Sequence, residues 1–330
     1  MANAAFSPKD FKAWIIEEAT TGTIPTITSG LLQLDVDSVS MPSLNINQNL
    51  TPKTSVGRVL HNEDFFQDNV IRATEVSLSG TYHNDTGHIL LMQSACGVAL
   101  NPAVADVVIP TASTTVSGKY GVTEGDKTFT LVLAAPDTTD GYNIVMPGCL
   151  CTNFSISAEA GSDGGLYKWS ATISSGQKPV TNNEATEAGT VYSASPISIN
   201  TLTSATTINS YASTVLSAFS VTIDSPAVYQ GFSATGYAAY ARSPELSVTA
   251  TAQVKYDSVT RPILNNFNTQ TAHDAADMFT MTQATATHCS IAIGSGVLTD
   301  VSLSEGDIMM LDIGIKAVNV GNDIISFDLA

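Results

Sequence analysis

Two eight-residue patterns occur twice in this chain, in the same order. Arg72-Ala73-Thr74-Glu75-Val76-Ser77-Leu78-Ser79 returns as Arg242-Ser243-Pro244-Glu245-Leu246-Ser247-Val248-Thr249, and Leu150-Cys151-Thr152-Asn153-Phe154-Ser155-Ile156-Ser157 returns as Val297-Leu298-Thr299-Asp300-Val301-Ser302-Leu303-Ser304. A repeat of this length excludes a short-period solenoid and points to one domain present twice. The 330 residues accommodate two domains, each able to bury a core. Two like domains in tandem can stand for two neighbouring subunits of a ring.

Within both halves the apolar period is two. Leu32, Leu34 and Val36 alternate with polar residues, as do Val76, Leu78 and Tyr82, then Phe154, Ile156 and Ala158, then Tyr167, Trp169, Ala171 and Ile173. Phe219, Val221 and Ile223 repeat the pattern in the second half. Half-buried antiparallel strands with Ser and Thr on one face explain it. Three helices are expected. One starts at Ser7-Pro8-Lys9-Asp10 and carries Phe11, Trp14, Ile15 and Glu18 to about Thr20. A second runs from Asp85-Thr86 to Cys96 with Gly97 as its left-handed cap, and a shorter third surrounds Pro262. The predicted organisation is an N-terminal arm over 1–28, a β-sandwich or barrel domain over 29–182, a polar linker over 183–212 and a second such domain over 213–330, each domain with a short flanking helix. The copies are unequal. The first carries about 23 extra residues, placed between Pro102 and Pro147, and a long polar excursion from Asn47 to Asn69.

Charge narrows the function classes. Against 30 Asp and Glu stand 13 Lys and Arg, a net −17. Such a chain does not grip phosphates, and its Ser- and Thr-rich surface can be covered by copies of itself with little charge desolvated. Met1 to Phe6 shows no basic segment followed by an apolar one, and no apolar run approaches the roughly 20 residues that span a bilayer. Cys96, Cys149, Cys151 and Cys289 are expected to stay reduced in a cytosol and to sit in the core.

Possible chemical motifs resolve into structural ones. Cys149-Leu150-Cys151 has no second pair to complete a zinc site. His83, Asp85 and His88 fit a strand-to-helix turn. Asp35-Val36-Asp37 and Ser162-Asp163-Gly164-Gly165 complete no calcium loop. Gly294-Ser295-Gly296 belongs to no phosphate-binding fingerprint. No catalytic, cofactor-binding or metal residue is predicted, and no cofactor.

In this order, the N-terminal arm, the long loop from Asn47 to Asn69, the Glu75-to-Tyr82 strand feeding a helix that ends at Cys96-Gly97, the Met146-Pro147-Gly148-Cys149 turn and the hairpin of Thr152–Glu159 with Tyr167–Ile173 resemble the tail-tube proteins, or major tail proteins, of long-tailed bacteriophages. The resemblance covers about 30–180 well and 215–330 more loosely. It implies a structural virion protein, made in the host cytoplasm, whose stacked rings form the conduit for DNA ejection. A duplicated chain implies trimeric, pseudo-hexameric rings. It implies self as the main partner, with tape measure, terminator and baseplate proteins at the tube's ends, DNA passing without specific binding, and no membrane. Under it, Thr51, Lys53, Arg58, His61, Glu63, Asp64, Tyr229, Phe232 and Tyr237 are expected to staple rings together, while the repeated Arg72, Glu75, Arg242 and Glu245 read either as a solvated strand face or as salt bridges across a subunit boundary. A capsid decoration or other virion ring protein, and a non-viral β-sandwich surface protein, remain alternatives.

Overall fold

The computed structural model describes residues 7–42, 46–50, 65–71, 74–98, 100–101, 106–109, 128–136, 143–182, 189–201, 206–213, 215–230, 239–242, 246–269, 278–283, 289–318 and 323–329. The fold is mainly β, in sandwiched sheets. In the first half the strands are β1 (Lys12–Glu17), β2 (Leu32–Leu34), β3 (Ser38–Val39), β4 (Ile46–Leu50), β5 (Phe65–Ile71) and β6 (Thr74–Thr81). Helix α1 (Thr86–Cys96) follows, then β7 (Asp106–Ile109), β8 (Phe129–Ala134), β9 (Asn143–Glu159), β10 (Lys168–Ser175) and β11 (Val180–Asn182). The second half runs β12 (Thr206–Ile208), β13 (Tyr211–Ser213), β14 (Leu216–Asp224), β15 (Ala227–Gln230), β16 (Ala239–Arg242) and β17 (Ser247–Lys255). Helix α2 (Arg261–Asn268) precedes β18 (Phe279–Met281), β19 (Ser290–Ile293), β20 (Gly296–Ser304), β21 (Met310–Ala317) and β22 (Ile325–Asp328).

The alternating sequences build one long antiparallel ribbon in the order β3-β6-β10-β9-β14-β17-β21-β20. The halves meet within it: β9 pairs with β14, setting Phe154 opposite Ile223 and Ile156 opposite Val221. A second sheet, β13-β12-β18-β19-β22-β7, also mixes the halves, because β7 from the long insert of the first pairs with β22 of the second. One apolar core, from Val76 and Trp169 to Ile313 and Phe327, runs through both. The ribbon's other face carries the Ser and Thr residues.

The order β6-β10-β9 recurs as β17-β21-β20 in closely matched register. Lys168 pairs with Thr81 and Ser157, and Met310 with Lys255 and Ser304. Each hairpin has one register shift at the same place, between Thr172 and Ile173 and between Leu298 and Asp300. Tyr82 N donates to Tyr167 O at 2.8 Å, and Tyr256 N to Met309 O at 3.1 Å. The Leu150–Ser157 pattern therefore coincides with Val297–Ser304 residue for residue. The other sequence echo does not coincide: with Tyr82 matched to Tyr256, Glu75 corresponds to Thr249 rather than Glu245, a slip of four residues.

Two further expectations change. The N-terminal helix is a single 3-10 turn, Pro8–Asp10, capped by Ser7, and the chain then enters β1 between β2 and β8. Ala13, Trp14 and Ile15 are all buried, since Ala13 and Ile15 face the main core while Trp14 packs with Ile27, Leu31, Val132 and Val145. A strand covered on both faces loses its alternation, and Phe11, Trp14, Ile15 and Glu18 then mimic helical spacing. Glu18 is buried instead as an acceptor, for Thr130 Oγ1 at 2.6 Å, Gly22 N at 2.7 Å, Gly148 N at 2.8 Å and Thr128 Oγ1. The stretch expected as linker contains β12 and most of β13, and residues 189–201 form a strap along the first half, with Thr190 N donating to Leu31 O at 2.7 Å and Tyr167 N to Ile197 O at 2.8 Å. Helix α1 closes at Gly97 in the left-handed conformation, φ 65°, as expected, and α2 carries Pro262 in its first turn.

Candidate assembly interface

Three surfaces stand out on this scaffold. The first is the open face of the eight-strand ribbon. Cross-strand pairing lines up Ser79, Ser170, Ser155, Thr222 and Thr249 in one row, ending at Lys316, and Ser77, Thr172, Asn153, Asp224 and Ser247 in the next. Ser155 Oγ and Ser170 Oγ are 2.8 Å apart, in hydrogen-bond contact. A shallow hollow on this face is lined by Glu159, Lys168, Thr251, Gln253, Asp300 and Asp312, and Gln253 Nε2 donates to Asp312 Oδ1 at 2.8 Å. The charges on the eight strands' open face are Glu75, Glu159, Asp224, Asp300 and Asp312 against Lys168, Lys255 and Lys316. Hydroxyls dominate and acid leads base by five to three.

The second surface is the pair of edges that the ribbon has among the described residues, β3 and β20, since every strand between them has a neighbour on both sides. On β20, Leu303 is 41 % exposed although its counterpart in register, Ile156 on β9, is fully buried. The difference arises because β14 covers Ile156. At the opposite edge Ser40 N donates to Ser77 O at 2.9 Å, so strand alternation turns Met41 N outward. The third surface is the β20–β21 turn, where Ile308 is 66 % exposed and Met309 46 % exposed.

The sequence-predicted residues scatter. Thr51, Lys53, Arg58, His61, Glu63, Asp64, Phe232 and Tyr237 lie outside the described residues, as do Arg72 and Glu245. Glu75 is exposed on the open face of β6. Tyr229, on the β15–β16 hairpin, is half-buried, and burial pushes its phenol above the ordinary tyrosine range. Arg242, expected at a subunit boundary, turns into its own chain instead. At 3 % exposure its guanidinium donates to Cys151 O at 2.9 Å, to Ser225 O at 3.1 Å and to Ser94 O, tying the end of α1, β9 and the second half together. A cation on carbonyls at a helix C-terminus is electrostatically favoured. The apolar edge residues Leu303, Met41, Ile308 and Met309 were missed, because alternation alone marks them as core or turn.

The titratable cluster at the strand-to-helix turn is structural. His83 Nε2 contacts Asp35 Oδ2 and its Nδ1 the Ala194 carbonyl, both at 2.8 Å, so it fastens the strap to the first half. Burial raises the thiols of all four cysteines, and Cys151 and Cys289 are each pushed up to about 12. Among the described residues no three His, Cys, Asp or Glu side chains converge as a metal site, and no helix is long and apolar enough to cross a membrane.

The family model described as phage tail tube protein matches residues 10–317, nearly the whole chain. No curated protein matches.

Proposed function

The chain belongs to the phage tail tube protein family, a structural component of the virion tail through which DNA is ejected, and on that premise we propose that three copies close each ring. The two halves are duplicated domains that take two of six quasi-equivalent places. The observation that carries this reading is the internal β9–β14 junction. It joins the last ribbon strand of the first half to the first ribbon strand of the second, and β20 and β3 are the counterparts of β9 and β14 at the free edges. Placing β20 against β3 of a neighbouring copy in the same register sets Leu303 opposite Met41 and Ser304 opposite Ser40. Both exposed edges, a hazard in a lone chain, then become one closed ribbon.

In that ring the Ser- and Thr-rich face lines the bore. A wall of hydroxyls with a slight acidic excess offers phosphates little to bind, so DNA slides. The ring stacks through its hairpin loops and meets tape measure, terminator and baseplate proteins at the tube's ends, and it carries out no catalysis. Light scattering on Leu303→Lys tests the closure. Wild type is expected as three-chain rings and their stacks, and the variant as single folded chains. Six-chain rings, or rings formed by the variant as readily as by wild type, would refute the reading.

A further inference from the structure

The β20–β21 turn is bare, whereas its counterpart in the first half is covered. Register matches Leu166 to Ile308 and Tyr167 to Met309, a match fixed by the paired bonds Tyr82 N to Tyr167 O and Tyr256 N to Met309 O. In the first half the strap that leads into β12 lies over this turn. Tyr167 N donates to Ile197 O at 2.8 Å, Leu166 bridges Ser198, and Ser198 Oγ and Asn200 Nδ2 each donate to Gly164 O at 3.0 Å. Ile199 packs so closely on Gly165 that a Cβ there would fall 2.7 Å from its Cγ2. Tyr167 is fully buried as a result, while Ile308 is 66 % exposed and Met309 46 % exposed.

Strand β12, the next element in the chain, fixes the position of the strap. It pairs with β18, setting Ile208 opposite Phe279, and β1 pairs with β8 in the same manner, setting Ile15 opposite Leu131. Counting back from Ile15 as from Ile208 matches Ile197, Ser198 and Ile199 to Ala4, Ala5 and Phe6. We propose that the segment Met1–Phe6 of a neighbouring copy lies across Ile308 and Met309, as residues 197–200 lie across Leu166 and Tyr167 within one chain. The occupant's chemistry fits: Met1-Ala2-Asn3-Ala4-Ala5-Phe6 has no charged side chain and is mostly apolar, ending in an aromatic ring that would take the place of Ile199. This inference rests on the ring reading, since only a neighbour joined by β3 to β20 brings its own β1 into the position that β12 holds in cis. It adds a second contact to each junction, in which every chain buckles the one before it.

Disulfide trapping separates the two ideas. The native cysteines that could interfere are all buried. Phe6→Cys with Ile308→Cys, oxidised in assembled rings, is expected to give covalent dimers and trimers on non-reducing gels. Ser40→Cys with Ser304→Cys reports on the ribbon edge alone. If the edge pair links and the Phe6–Ile308 pair does not, the buckle is wrong and the ring stands. If neither links, both are wrong. Deleting residues 2–6, which precede β1, is expected to leave the circular dichroism spectrum unchanged and to raise the concentration needed for ring formation by about tenfold or more. Ile308→Ser is expected to raise it in the full chain and to add little to the deletion. An unchanged assembly threshold in the deletion variant would overturn the proposal.

Discussion

His88 makes the fold sensitive to acid, by an amount the structure allows to be worked out. It lies in α1 with no exposed surface, edge-on to Trp169 at 5.3 Å and to Tyr82 at 5.5 Å between ring centroids. Neither ring nitrogen has a hydrogen-bond partner among the described residues. Burial first, and the neighbouring His83 second, push its pKa down from 6.5 to about 3. The sign comes from linkage. Above the unfolded value both states are neutral and pH has no effect through this residue. Below it the unfolded chain binds a proton that the folded chain refuses, so stability falls until the folded value is reached. At about 1.4 kcal/mol per pH unit, the loss is about 2 kcal/mol at pH 5 and approaches 5 kcal/mol near pH 3. His88→Leu removes that slope. At neutral pH two opposing terms nearly cancel: relief of two orphaned polar atoms, about 1–3 kcal/mol, against loss of aromatic contacts worth about 0.5–1.5 kcal/mol each. Urea unfolding of the unassembled chain at pH 7, 6 and 5 is the assay. Groups remote from His88 are common to both proteins and drop out of the difference. The variant's advantage should grow by about 2 kcal/mol between pH 7 and pH 5. A gap independent of pH would refute the reasoning.

Three further outcomes rest on single contacts. Arg242→Leu should cost about 3–5 kcal/mol in urea unfolding, because the Ser94, Cys151 and Ser225 carbonyls lose a buried cation that joins the two halves. Gly80→Ala should cost about 1–3 kcal/mol. Its Cβ would strike the Asp35 carbonyl, which accepts the Trp169 indole N–H at 3.1 Å, so the tryptophan emission should shift as well. Glu159→Lys with Asp312→Lys should leave tubes intact by electron microscopy and slow DNA release, while release at the wild-type rate would argue against a luminal position for the ribbon's open face.

What the sequence disclosed depended on how each element is solvated. Strands with one covered face, such as β6, β10 and β14, kept their alternation and were readable, and α1 announced its end with Gly97. Strand β1 is covered on both faces and read as a helix. Strands β12 and β13 are three residues each, too short to carry a period, and disappeared into an apparent linker. The exposed apolar residues at the ribbon edge were unreadable for a different reason. Leu303 belongs to the core face of its strand and is exposed only because β20 ends the ribbon, a property of topology that no local pattern contains.

The two sequence echoes carried different authority, and strand geometry explains why. Side chains in a strand repeat every two residues, so any even shift preserves which face is apolar. The Arg-x-x-Glu echo lies on a regular stretch, and its slip of four kept Val76 and Leu78 in phase with their supposed partners while misassigning every contact. The echo of Leu150–Ser157 in Val297–Ser304 contains a register shift in each copy. An irregularity admits one alignment only, because moving it by two residues would displace the bulge against its partner strand. The slip also separates Arg242 from Glu75 in function. A surface pair repeated around a ring would have to occupy matched positions, and Arg242 is matched to none of them. It holds the junction inside the chain, where the two halves differ. In the proposed ring, the junction between chains would rest on the β20 and β3 edges and on the segment that precedes β1.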